Sequence, residues 1–271
     1  MTDPAQTPVD GASKASQRTL QVDGALNARD LGGMPAGDGR VIRRGVVVRM
    51  DSPQFVTDDG ARTLLDEHGI RTVLDLRYPT ESQEGGIGPL ATDAVTHVNI
   101  PIKSSDEQVA PGLRQMIEAA EGRPPAEVTF EYYQGYFTAS DGQAIVAAVR
   151  ELVRPDALPA VVHCAAGKDR TGAVVAIALS AVGVPDEVIA DDYAASAAAV
   201  AGIVRRLRDT GAYEELDEST IDMQLTRHDT MTLLLAWIGE QYGGAREFLL
   251  ARGFTEDDLQ RLSDVLVEDA A

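Results

Sequence analysis

Ten consecutive residues carry most of the chemistry this sequence offers: His163–Cys164–Ala165–Ala166–Gly167–Lys168–Asp169–Arg170–Thr171–Gly172. Cys164 is the only cysteine in 271 residues, and five residues separate it from Arg170. The run follows Ala160–His163, which reads as a short strand, and leads into Thr171–Val182, which reads as an apolar helix. A tight loop at a helix start can turn its backbone N–H groups inward. Those amides and the positive helix end then form an anion site. Ala165, Ala166 and Gly167 keep the rim small, so a phosphate can approach the backbone. Arg170 returns at the far end of the loop, where a planar guanidinium binds two phosphate oxygens at once. A thiol at a helix N-terminus beside Lys and Arg falls from about 8.5 into the range ~3.5–7.5. The expectation is a Cys164 thiolate that attacks phosphorus.

Attack by sulfur expels an alkoxide or phenolate, which needs a proton. No Trp-Pro-Asp triplet offers a mobile acid, since Trp237 is the only tryptophan and follows the loop. Asp169 is therefore expected as general acid and afterwards as base toward water. Asp75, Asp141 and Asp156 are the alternatives. Thr171 is expected to hydrogen-bond the leaving thiolate, Lys168 to add positive charge over the substrate, and His163 to orient the loop. The catalytic set is thus Cys164, Asp169 and Arg170. The substrate-binding set is Ala165, Ala166, Gly167, Lys168, Arg170 and Thr171. A buried cysteine alone is usually an inert hydrophobe, and a lone Lys or Asp is usually solvated; the joint pattern carries the argument. One cysteine excludes an intramolecular disulfide and zinc sites built on two or more thiolates. The loop supplies its own anion site, so no metal and no cofactor is expected.

The elements around this loop favour an α/β fold, with strands alternating with helices. Val41–Ile42 and Val46–Val48 read as short strands, and Thr72–Leu76 and His97–Ile102 as two more. Thr57–His68 reads as a helix capped by Thr57 and ended by Gly69. Glu127–Phe137 and Gln143–Val153 have helical spacing. Pro185 sits at the first turn of a further helix, with Asp186 and Glu187 near its positive end. The C-terminal third reads as almost entirely helical. Asp75 and Arg77 stand at a strand's C-terminal end, where α/β sites gather, and read as site-lining or as scaffold. Tyr132, Tyr133 and Tyr136 read as a packed helix face.

Net charge is −19, so non-specific binding to nucleic acid is not expected, nor is stable membrane insertion, for want of a long apolar run. The first 20 residues are polar and read as a flexible tail without an ordinary signal peptide. Residues 21–271 read as one domain, with 194–227 as a helical lid insertion or a packed helix pair. Nothing in the pattern sets an oligomeric state.

HCAAGKDRTG resembles the signature of the protein tyrosine phosphatase superfamily, HCxxGxxR followed by Ser or Thr. More narrowly, it is similar to the bacterial PtpB-like branch. Asn27–Ala28–Arg29–Asp30–Leu31–Gly32–Gly33 is close to that branch's NFRDLGG segment, with Ala28 in place of the aromatic. Asp75–Leu76–Arg77, with Glu81 beyond, matches its DLR element, and Tyr242–Gly243–Gly244 its late helix boundary. The resemblance implies a central, mainly parallel sheet flanked by helices, a cysteinyl-phosphate intermediate, no metal, and the loop aspartate as acid. It implies a phosphorylated protein as substrate, carrying phosphotyrosine or also phosphoserine and phosphothreonine; a phosphoinositide is the alternative. Two further rivals are a non-catalytic phosphoprotein-binding module and a rhodanese-type sulfurtransferase. The first would often lose Cys, Arg or the acid, and the second commonly has one fewer residue between Cys and Arg. The implied location is cytoplasmic, or exported without an ordinary signal peptide.

Overall fold

The structure, a computed structural model, describes residues 17–103, 122–210 and 221–270. Its first sheet contains β1 (Arg29–Asp30), β4 (Val47–Met50), β5 (Thr72–Asp75), β6 (Thr96–Asn99) and β7 (Ala160–His163), in the order β1-β4-β7-β5-β6. The four strands from β4 to β6 are parallel, and only β1 runs antiparallel at the edge. The protein is therefore α/β, with a mainly parallel central sheet flanked by helices, as the residue pattern and the resemblance imply. A smaller antiparallel sheet joins β2 (Pro35–Ala36), β3 (Arg40–Ile42) and β8 (Val267–Asp269). The C-terminal third is almost entirely helical, as expected, and β8 is its one strand among the described residues. This strand exists because α11 (Glu256–Leu266) stops beside β3, whose free edge then pairs with the last residues.

Side chains of the central strands alternate between two cores, as a pleat requires. Val47, Leu74 and Val162 join one core, with α3 (Pro125–Thr138), α4 (Gln143–Glu151), α5 (Asp169–Ala181) and the C-terminal helices. Val48, Met50, Val73 and Val161 join the other, with Val56 just before α1 (Asp58–Arg62), Ala61 on it and Leu64 in the turn after it. The Thr57 side chain accepts from Gly60 N–H and caps α1, which widens into a π turn over Thr63–Glu67. The expected single helix from 57 to 68 is thus one continuous helical stretch with a bulged second half.

The C-terminal ends of the parallel strands converge on one edge. Met50, Asp75 and His163 are neighbours in register across β4, β5 and β7. Whatever follows those three strands is brought together by the sheet itself. Residues 51–52, 76–78 and 164–168 follow them.

Candidate active site

The loop after β7 runs from Cys164 to Lys168, and α5 begins at Asp169. Its carbonyls are held from outside. Ser52 N–H donates to Ala165 O (3.1 Å). Asn27 Nδ2 donates to Ala166 O (3.0 Å) and Gly167 O (3.3 Å). Arg49 Nη2 donates to Gly167 O (2.9 Å), and Gly172 N–H to Lys168 O (2.7 Å). Among the described residues, the N–H groups of Ala165, Ala166, Gly167 and Lys168 meet no protein acceptor. A loop whose carbonyls point out and whose amides are unspent is an anion cradle. Gly167 is required for it: its φ is +65°, and a Cβ there would lie 2.1 Å from the Met50 carbonyl oxygen.

The outer bonds belong to a buried charged network. Asp192, on α6 (Asp186–Ala195), pairs with Arg18 (2.8 Å), Arg29 (3.0 Å) and Arg49 (2.7 Å). Arg29 also donates to Asn27 Oδ1 (2.7 Å) and to Ser196 Oγ (3.0 Å), so the residue that grips Ala166 is itself fixed. Against the penalty of burial, the three guanidinium groups hold Asp192 far below the ordinary carboxylate range. Burial and the nearby Arg49 cation push Arg29 down to about 10, while Asp192 opposes them. Three cations around one carboxylate leave positive charge beneath the loop. A chain of net charge −19 thereby presents a locally positive floor to an anion.

Arg170 lies one residue into α5. Its Nη1 and Nη2 donate to Glu81 Oε2 (2.7 Å) and Oε1 (3.0 Å), a bidentate pair with the first turn of α2 (Pro79–Gly85). Although burial works the other way, Glu81 holds Arg170 well above its ordinary value. Glu81 Oε2 also accepts from Tyr78 N–H (2.7 Å), and the Tyr78 ring lies 5.4 Å from the guanidinium carbon. Glu81 is a residue to which the sequence reading gave no role. Its signal was a proline at the first helical position two residues before it, just after a strand's end.

Asp75 and Arg77 resolve toward scaffold. Asp75 is wholly buried and accepts from Arg77 Nε (2.9 Å) and Nη2 (2.7 Å) and from Ser82 Oγ (2.8 Å). Against burial, those bonds hold it well below the ordinary carboxylate range. Arg77 reaches on to Ser52 Oγ (3.0 Å) and Gly86 O (2.8 Å). Together they fix the segment whose Ser52 N–H grips the loop. His163 Nδ1 lies 3.1 Å from Cys164 O and donates to it, and Nε2 stands 3.7 Å from Asp75 Oδ1. Burial pushes His163 down to about 4, with the Asp75 charge pulling the other way.

Asp169, the expected acid, is part-exposed and accepts at Oδ1 from the Tyr133 hydroxyl. Lys168 Nζ lies 3.5 Å from Asp169 Oδ2 and donates to the Gln224 carbonyl (2.7 Å) and Oε1 (2.8 Å). Lys168, expected over the substrate, thus ties the loop to the segment around 221–225. Thr171 Oγ1 is buried with no protein partner among the described residues. Of the alternative acids, Asp75 is committed to Arg77, Asp141 pairs with Arg252, and Asp156 sits in a turn at φ +63°.

Cys164 is 1% exposed. Ala165 and Ala166 pack against Val200, Ile203, Val204 and Leu207 of α7 (Val200–Asp209), with Phe55, Ile221 and Leu225 at the margin. Part of the 194–227 segment therefore packs on the loop. Residues 211–220 of that segment, and residues 1–16 of the expected tail, lie outside the described residues.

A strand–loop–helix anion cradle with a cysteine at one end and a clamped arginine at the other defines a cysteine-dependent phosphatase class. Residues 20–268 match the Tyrosine phosphatase family, and the chain belongs to that family of protein-tyrosine phosphatase hydrolases. It is 27% identical over 259 residues to the triple specificity protein phosphatase PtpB of Mycobacterium tuberculosis, covering 88% of each chain. It is 29% identical over 187 residues to a Cupriavidus necator protein whose name also places it among tyrosine-protein phosphatases, covering 67% of this chain and 64% of the relative. A tyrosine-protein phosphatase of Nostoc commune is 35% identical over 106 residues, 37% of this chain and 36% of the relative. Among the described residues no helix is long and apolar enough to cross a membrane.

Proposed function

We propose that the protein hydrolyses phosphotyrosine in proteins through a cysteinyl-phosphate intermediate, with Cys164 as nucleophile, Arg170 as phosphate clamp and Asp169 as acid and base. The observation that carries this is the loop itself: carbonyls of Ala165 to Lys168 all bonded outward, with Arg170 anchored by Glu81. Two donors of Arg170 are spent on Glu81, and its remaining N–H groups serve the phosphate. In the first step Cys164 Sγ bonds to phosphorus, the P–O bond to the leaving group breaks, and Asp169 gives its proton to the departing oxygen. In the second, water attacks phosphorus, Asp169 takes its proton, and the P–S bond breaks to return the thiolate. The unpartnered Thr171 hydroxyl is suited to donate to that departing sulfur. The amides and Arg170 balance the charge that develops on the phosphoryl oxygens, and the reaction proceeds without a metal.

Phosphoserine and phosphothreonine are proposed as secondary substrates, since an acid within the loop serves an alkoxide leaving group as well as a phenolate. The M. tuberculosis relative named for triple specificity supports this breadth. We further propose that 194–227 is a lid within a single catalytic domain spanning 21–271. The support is α7 packed on Ala165 and Ala166, the two residues that follow Cys164 in the loop. The test is phosphate release from phosphotyrosine, phosphoserine and phosphothreonine peptides and from phosphoinositide vesicles, side by side with a metal chelator present. Fastest turnover of phosphotyrosine peptide in chelator is expected. Turnover of phosphoinositide alone would overturn the substrate reading, and activity that needs an added divalent ion would overturn the mechanism.

A further inference from the structure

We propose that Tyr133 and Tyr193 form a buried hydroxyl relay that positions the Asp169 carboxyl group for proton transfer. The proposal rests on the reading of Asp169 as the acid. Tyr133 stands on α3 and Tyr193 on α6, and both are essentially inaccessible. The Tyr133 hydroxyl donates to Asp169 Oδ1, and the two phenolic oxygens are 2.7 Å apart. A carboxylate only accepts, and a phenol has one proton. Tyr133 therefore spends its proton on Asp169, and Tyr193 must donate to Tyr133. The direction of the chain is fixed by stoichiometry.

With Oδ1 occupied by the Tyr133 proton, a proton taken up by Asp169 resides on Oδ2. The transferable proton is confined to one oxygen, and the carboxyl plane is pinned at the other. Geometry held in advance in this way is what proton transfer requires.

Packing alone does not account for the hydroxyls. Phe137, on the same helix, packs edge-on against Trp237 and Phe248 with no polar atom. A buried hydroxyl without a partner is costly, so two phenols end to end beneath a loop carboxylate are a matched set. Burial, followed by the Asp169 charge, pushes both phenols well above their ordinary value, so they stay donors at working pH. A glycine in the first turn of α5 makes room for the arrangement. A Cβ on Gly172 would lie 2.9 Å from the Tyr193 ring, so a side chain there would displace the relay's outer member.

The experiment measures kcat/KM over aryl phosphates of graded leaving-group basicity for the parent, Tyr133→Phe, Tyr193→Phe, Asp169→Asn and Tyr133→Phe/Asp169→Asn. Vanadate inhibition and thermal unfolding are read on each. Tyr133→Phe should lose about tenfold on the most basic leaving group, the loss of one hydrogen bond to a charged group, and much less on a nitrophenol. Tyr193→Phe should shift the same way by a smaller factor. The double variant should be no slower than Asp169→Asn, and vanadate inhibition should not change. An equal loss on every leaving group, weakened vanadate binding, or a Tyr133→Phe loss that adds in full to that of Asp169→Asn would make the relay merely structural and overturn it. If Asp169→Asn itself shows no dependence on the leaving group, the acid assignment falls first. If Asp169→Asn shows that dependence and Tyr133→Phe does not, the relay alone falls.

Discussion

The two sides of the Cys164–Lys168 loop are built from opposite materials. Beneath it, each carbonyl from Ala165 to Lys168 is bonded by Ser52, Asn27, Arg49 or Gly172, and the anchors trace back to the buried Asp192 and Asp75. Above it, the contacts of α7 with Ala165 and Ala166 are apolar. Hydrogen-bonded charge networks have discrete geometries and fail when one member is lost. A patch of Val, Ile and Leu on alanine has no such geometry, although α7 is also tied to the floor through Arg206, which pairs with Asp51 (3.2 Å) and donates to the Gly24 carbonyl (2.6 Å). The floor is suited to hold a cradle rigid, and the lid proposed above would part from it along this apolar face. Four changes test that contrast.

The largest effect comes from neither side. Cys164→Ser should reduce turnover by roughly 10³-fold or more, because a serine hydroxyl is far less ionised and less nucleophilic than an activated thiolate. Vanadate or phosphate-ester binding should persist, because floor and cover are untouched. Activity within tenfold of the parent, or loss of vanadate binding, would contradict the division.

Asp192→Asn strikes the floor. It leaves Arg18, Arg29 and Arg49 buried around a neutral amide. Breaking a buried ion pair by removing one partner costs about 3–5 kcal/mol, which chemical denaturation can read directly. Vanadate affinity should fall as well, since Arg49 and Asn27 lose the reference that aims them at Gly167 and Ala166. A stable variant with normal vanadate binding would mean that the loop holds its shape unaided.

These anchors also mark how far the sequence could be read. The cradle was legible because strand, small residues, glycine, arginine and helix lie in one continuous run whose local geometry follows from residue type. The sheet was legible from the short apolar runs Val46–Val48 and Thr72–Leu76, which overlap β4 and β5. Asp192 and Tyr133 were not legible. An aspartate after Asp191 on a helix reads as solvated, and only the fold brings Arg18, Arg29 and Arg49 from distant segments around it. Tyr133 read correctly as a packed residue, but its hydroxyl meets Asp169 across 36 residues of chain. The strand Val267–Asp269 was missed for the same reason: its partner, Arg40–Ile42, lies at the other end of the sequence. Asn27 and Arg29 fell inside a segment matched to the PtpB-like branch, yet nothing local tied them, or Arg49, to the loop.

The floor should also respond to acid. His163 is wholly buried, faces Asp75, Arg77, His97 and the Cys164 carbonyl, and is pushed down to about 4. An unfolded histidine titrates near 6.5, so between these values the unfolded chain binds the extra proton. Stability therefore rises with pH across that window and falls on acidification from about 6.5 to 4, by up to roughly 3 kcal/mol. Asp75 is held below its unfolded value, so its contribution is intact across this window and is lost only in stronger acid. Urea denaturation at intervals from pH 7 to 4.5 should show the fall in the parent and a much flatter response in His163→Gln. The same slope in both would move the titration to another group.

The smallest effect belongs to the cover. Val204 packs in the α7 patch and takes no part in the floor network. Val204→Ala removes two methyl groups that are buried when α7 lies on the loop. If about 1 kcal/mol of that burial is specific to the closed arrangement, the open population rises about fivefold. Cys164 is 1% exposed and adjoins the Ala165–Ala166 patch in the chain, so if the proposed lid gates access to it, alkylation by iodoacetamide should accelerate by that factor. Saturating vanadate should protect it. The unfolding midpoint should move far less than in Asp192→Asn, because the patch is a cluster separate from the two sheet cores. A large drop in stability with unchanged alkylation would make α7 part of the rigid frame, and both sides of the loop would then be floor.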